Sequence, residues 1–122
     1  MTPTGPWSEA EIKKFLEDAR VPVRLASNAP SGYPLLASLW FIPLEGSLWC
    51  ATQRKAQIAS QLADDPRCAF EISLESPPYR GVRGKATGIV HPSRGEEILR
   101  ALLLRYLGGL DAPPRPKPTR QS

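Results

Sequence analysis

The hydrophobic positions of this chain change period several times, and each change marks an element. Over residues 8–19, Ile12, Phe15, Leu16 and Ala19 fall on one helical face, and Ser8 with Glu11 three residues on forms a capping box. The pattern predicts a helix ended by Pro22. Alternation follows over residues 21–27, with Val23 and Leu25 pointing one way and Arg24 the other. Pro30-Ser-Gly-Tyr-Pro34 is turn chemistry. It leads into residues 35–42, Leu-Leu-Ala-Ser-Leu-Trp-Phe-Ile, a strand apolar on both faces. One face fills the core; the other needs a cover, either a second copy of the chain or a large ligand.

Glu45-Gly46 predicts a hairpin, with residues 47–51 as the returning strand. Residues 52–65 read as a helix carrying Ile58 and Leu62 at i and i+4, stopped by Pro66. Residues 67–74 alternate Phe70 and Ile72 against Glu71 and Ser73. After a Ser-Pro-Pro-Tyr loop, residues 81–90 form a strand whose glycines at 81, 84 and 88 point to bulges or close backbone approach. Residues 92–107 predict a last helix with Ile98, Leu102 and Tyr106 on one face, capped by Gly108-Gly109. The order helix, three strands, helix, two strands, helix favours a small antiparallel barrel with helices at its ends, over residues 8–107. Residues 108–122, rich in proline, predict a disordered tail.

Composition narrows the class. With 122 residues, 41% hydrophobic and 23% charged, one soluble domain is expected. No apolar run suits a bilayer span and no basic-then-apolar leader opens the chain, so a cytoplasmic location is expected. Cys50 and Cys68 lack metal or redox spacing and read as buried thiols of a reducing compartment. The net charge of +4 owes much to Arg115, Lys117 and Arg120 in the tail. A body so nearly balanced is weak evidence for nucleic acid as a partner.

Two clusters carry candidate chemistry. Thr52-Gln-Arg-Lys55 stands where a strand turns into a helix, a place whose unpaired N–H groups and dipole suit a phosphate. Thr52 can donate a hydrogen bond, and Arg54 and Lys55 supply charge. Read blandly, the same residues are a threonine cap followed by two solvated cations. Arg80, Arg83 and Lys85 form a basic strand, suited either to an anionic ligand or to a solvated edge. The single histidine, His91, has no ligand partner at motif spacing, so no metal site is expected. No catalytic side chain identifies itself.

Ordered stretches over residues 21–107 resemble the pyridoxamine 5′-phosphate oxidase-like, FMN-binding split-barrel family. They are Pro22-Val-Arg-Leu-Ala-Ser, Ser-Gly-Tyr-Pro with Ser-Leu-Trp-Phe, Leu-Trp-Cys-Ala-Thr-Gln-Arg-Lys, Asp-Asp-Pro-Arg-Cys-Ala-Phe-Glu and Pro-Pro-Tyr-Arg-Gly-Val-Arg-Gly. The resemblance implies a mainly β split barrel with flanking helices. It also implies a homodimer with FMN at the subunit interface and an oxidoreductase whose redox chemistry is the flavin's. It places the flavin ring along Ser38, Leu39 and Trp40, and the ribityl chain and phosphate at Ala51, Thr52 and the following helix. Deazaflavin is the alternative cofactor of the fold, its longer anionic tail suiting Arg80, Arg83 and Lys85; haem, or a non-enzymatic binding role, is another. The chain departs from the vitamin oxidases in having Ala37 and Ile42 where they carry basic residues, and Gln57 and Ile58 where they carry an Arg-Lys pair. Those departures argue against vitamin phosphate as the substrate.

Overall fold

A computed structural model describes residues 5–53 and 56–108. Three α-helices and six strands follow in the order α1 (Glu9–Asp18), β1 (Val23–Ser27), β2 (Leu35–Leu39), β3 (Phe41–Leu44), β4 (Ser47–Cys50), α2 (Gln57–Asp64), β5 (Arg67–Ser73), β6 (Gly81–Thr87) and α3 (Gly95–Leu107). The expected tail, together with Arg54 and Lys55, lies outside the described residues.

All strand pairing is antiparallel. A four-stranded sheet has the order β2-β1-β5-β6, and β3 and β4 form a separate two-stranded hairpin. The architecture is mainly β with helices packed on it, as the patterning predicts. The capping box of α1 is formed in both directions, Glu11 N to Ser8 Oγ and Ser8 N to Glu11 Oε1. Glu45 and Gly46 both take positive φ, 54° and 79°, as a hairpin turn twisted to match its strands requires.

Three elements differ from their sequence expectation. The apolar run 35–42 is divided at Trp40 between two sheets, β2 pairing with β1 and β3 with β4. Side-chain alternation survives the break: Leu39 and Phe41 point inward, while Ile42 faces α3. The cover expected for the second apolar face is therefore α3 over β3, and Leu36 of β2 stays 66% exposed. α2 begins at Gln57 rather than at Thr52. A turn bond from Ala56 N to Gln53 O precedes it, and the helix starts where the apolar spacing of Ile58 and Leu62 can be buried. The strand read over 81–90 ends at Thr87, where the Gly88 N–H bonds back to Pro66 O.

The hairpin β3–β4 separates two apolar clusters. On its inner side Phe41 joins Ala19, Val23 and Ile72, with Leu48 and Cys50 packed against them. On its outer side Ile42, Leu44 and Trp49 meet Ile98, Leu102 and Tyr106 of α3. Both clusters follow from period-two strands meeting period-3.6 helices. No helix among the described residues is long and apolar enough to cross a membrane.

Candidate functional site

The joint at Trp40 determines what the fold brings together. Phe41 pairs with Cys50, so the residues that flank this pair, Trp40 and Ala51, come close in space, and Leu39 and Thr52 share one cleft. Two stretches more than ten residues apart in sequence, Ser38-Leu39-Trp40 and Ala51-Thr52, thus meet where one sheet passes into the other. Their side chains divide between two faces. Leu39, Ala51 and Thr52 line a cleft of about 1350 Å³ that opens between the β3–β4 hairpin and the end of β6. Ser38 points to the opposite, outer face of the four-stranded sheet, in a register row with Arg24, Glu71 and Arg83.

The cleft is mainly apolar, floored by Leu25, Leu39 and Phe70 and flanked by Ile58 and Leu62 of α2. Its polar lining includes Thr52, Gln53, Lys85, His91 and Arg94. The His91 ring lies 5.0 Å from that of Trp49, and the Arg94 guanidinium sits 4.2 Å over the Trp49 ring. Arg94 is also bound by Glu97 at 2.8 Å and Glu45 at 3.3 Å. The hydrogen bonds that Arg94 donates to these two carboxylates raise its pKa, and those to Glu97 hold that carboxyl below its ordinary value. Arg94 therefore ties the hairpin turn to α3, with its charge already matched within the chain. The Arg94–Trp49–His91 constellation was not legible in the sequence, because Arg94 falls in a helical run where a solvated cation is the ordinary case.

Arg83 lies on the outer face, in a shallow hollow with Arg24, Leu36 and Ala69. From Ser38 to Arg83 the row crosses three strand spacings, about 14 Å. Arg80 sits in the turn before β6, its N–H donating to Pro78 O and its carbonyl accepting from Leu74 N, each at 2.8 Å. Arg80 and Arg83 are thus well separated from the Trp40 joint. Arg54 and Lys55 fall outside the described residues.

The residues at the joint suit a flavin-sized group on two counts. β2 is an edge strand, so one row of its backbone N–H and C=O groups faces away from β1 and is open to a ring. Trp40 also presents an aromatic surface: its ring is stacked on Tyr106 at 4.7 Å and 5°, and 38% of the residue remains exposed.

No protein-family model and no curated protein matches the chain. Solved structures do. The conserved hypothetical protein Rv2991 from Mycobacterium tuberculosis is 28% identical, covering 89% of this chain and 71% of its own, with a TM-score of 0.74. An F420 reductase is 28% identical over 83% of this chain and 81% of its own, TM-score 0.62. HutZ, the heme storage protein from Vibrio cholerae, is 17% identical over 80% and 75%, TM-score 0.61, a likeness of fold alone. These structures belong to the split-barrel, FMN-binding-like superfamily, and the chain shares that fold.

Proposed function

We propose that the chain is a flavin-type redox protein, binding FMN or a deazaflavin at the Trp40 joint and working as a homodimer with the cofactor at the subunit interface. The observation that carries this reading is the meeting of Ser38-Leu39-Trp40 with Ala51-Thr52 at the junction of the two sheets. A bound flavin supplies hydride transfer at its ring. The chain's part is to bind and orient. The free backbone row of β2 hydrogen-bonds the ring edge, Trp40 covers a ring face, and Thr52 donates its hydroxyl to the phosphate. Arg54 and Lys55, which follow Gln53, supply charge to that phosphate. Residues 8–107 are the cofactor-binding unit.

Two observations favour deazaflavin as the second reading. One of the similar structures is an F420 reductase at 28% identity. Arg83 lies on the same sheet face as Ser38, about 14 Å away, a separation that suits a long anionic tail better than a single phosphate. Haem binding enters through HutZ and through a heme binding protein from Mycobacterium smegmatis, 23% identical.

Bareness of the outer sheet face supports the dimer. Leu36 is exposed beside the hollow formed by Ala26, Ala69 and their neighbours, an apolar area that a second copy covers. The deciding experiment is an absorbance titration of purified protein with FMN and, separately, with coenzyme F420. A shifted flavin spectrum that weakens about tenfold or more in Thr52→Ala or in Arg54→Ala with Lys55→Ala supports FMN. Saturable binding of F420 alone assigns the deazaflavin reading. An unchanged spectrum with both removes the redox proposal.

A further inference from the structure

Trp40 has one ring face covered while 38% of the residue stays exposed, and the covering group is held in place from below. The Tyr106 ring lies parallel to the indole, 4.7 Å between centroids and 5° between planes. Tyr106 is itself 9% exposed. Its hydroxyl donates to Val21 O at 2.9 Å and accepts from Phe41 N at 3.2 Å. The second bond comes from the residue next to Trp40, so the backbone at the joint and the ring beneath it are fixed by one side chain. A parallel-backed indole is a flat, rigid surface, and with one face taken its remaining exposure belongs to the other face and the ring edge. Ser38 and exposed Leu36 continue the same face along β2.

We infer that Tyr106 is a positioning residue: it holds the Trp40 indole as the platform on which the planar ring of the cofactor stacks. The inference rests on the cofactor reading above and adds to it a residue from the last helix. A mobile exposed indole loses rotamer freedom when a ring docks on it; one already stacked on a buried, doubly hydrogen-bonded tyrosine has lost that freedom in folding.

The test uses the full chain and three probes with planar rings: FMN, coenzyme F420 and haemin. Binding is read by quenching of tryptophan fluorescence and by the probe's visible spectrum, with far-UV circular dichroism as the control for folding. Trp40→Leu and Tyr106→Leu are each expected to weaken the probe that binds by about tenfold and to abolish its spectral shift, the loss of one aromatic stacking partner. Trp40→Phe is expected to restore most of the affinity. Tyr106→Phe keeps the stack and loses the hydroxyl bonds; it is expected to bind within about threefold but with a smaller near-UV dichroism from the Trp40–Tyr106 pair. Binding in Trp40→Leu with wild-type affinity and spectrum overturns the inference and leaves the cofactor reading standing. So does a Trp40→Leu protein that loses its dimer but still binds the probe, which makes Trp40 a contact between copies. Failure of the wild-type chain to bind any of the three probes overturns both.

Discussion

The guanidinium of Arg105 closes the C-terminal end of α1, with Nη2 2.6 Å from the carbonyl oxygen of Ala19. It also donates to Leu16 O at 2.7 Å and to Glu17 O at 3.0 Å, and its carbon lies 5.0 Å from the Phe41 ring centroid. Helix α1 has no basic residue in its last turn; its terminal carbonyls take Arg20, just beyond the helix, and Arg105 from across the molecule.

Arg105→Met is therefore expected to destabilise the protein by about 2–3 kcal/mol, since three charge-assisted bonds go and their carbonyls are left partly covered. Thermal denaturation would show the loss as a fall of about 10 °C or more. Arg105→Lys recovers at most about half of it, because one ammonium cannot fork among three carbonyls as a planar guanidinium does.

Two glycines are expected to respond oppositely to alanine. A Cβ at Gly81 would lie 2.8 Å from Ile72 O, inside the β5–β6 pair, so Gly81→Ala should cost about 1–3 kcal/mol. At Gly95 nothing lies within 4 Å and the backbone is already helical, φ −59° and ψ −45°. Gly95→Ala should add about 0.5–1 kcal/mol. Urea denaturation of the two variants checks both signs.

Acid sensitivity is expected to centre on Asp65. Arg67 hydrogen-bonds its carboxylate through Nε at 3.0 Å and Nη2 at 2.8 Å, and Asn28 donates to it at 3.0 Å. These bonds, the arginine's above all, hold the carboxyl well below its ordinary value of 3.8. A carboxyl depressed in the folded state contributes stability above that ordinary value, and the contribution is lost as the pH falls through the folded one. The gap in melting temperature between wild type and Asp65→Asn should thus be widest near about pH 6 and close towards about pH 2.

Cys50 behaves in the opposite sense at high pH. Burial pushes its thiol from 9.0 up to about 12. A raised folded-state value means stability that is full below 9.0 and declines as the pH rises towards 12. At about pH 8 a disulfide-exchange reagent should label Cys68 first and Cys50 about tenfold more slowly, read by mass spectrometry of timed samples. Equal rates would show the β4 thiol to be accessible.

If two copies meet on the bare sheet face, Leu36→Arg should leave circular dichroism unchanged and halve the mass measured by light scattering. A wild-type chain that runs as a monomer would remove the dimer, and with it the shared cofactor site.

The sequence was most legible where local chemistry and burial agree. Ser8 and Glu11 cap α1 as their spacing predicts, and Ile98, Leu102 and Tyr106 form the buried face of α3. Trp40 shows what periodicity misses. Alternation runs on unbroken through Leu39 and Phe41, so it cannot report that the hydrogen-bond partner changes from β1 to β4 between them. Thr52 is a better cap than Ala56 by propensity, yet the helix starts after Ala56, where burial of Ile58 outweighs the cap. The candidate site was legible only by segments. That Ser38-Leu39-Trp40 and Ala51-Thr52 adjoin follows from hairpin register, whereas Arg83 lies three strands from Ser38 because β1 and β5 pair between them. Tyr106 reads from its spacing as a core position, but the hydrogen-bond partners of Tyr106 and Arg105 do not show in the sequence, since they lie 65 to 89 residues away.

That remoteness makes α3 the closing piece of the fold. Two consecutive residues of one helix, Arg105 and Tyr106, finish the end of α1 and fix the turn between the two sheets. A chain that stops short of residue 105 carries every strand, but loses the Arg105 bonds at the end of α1 and leaves the Trp40 joint without its anchor. The surface offered to a cofactor is thus completed by the contacts most distant in sequence among the hydrogen bonds of the described residues, those with the highest cost of loop closure.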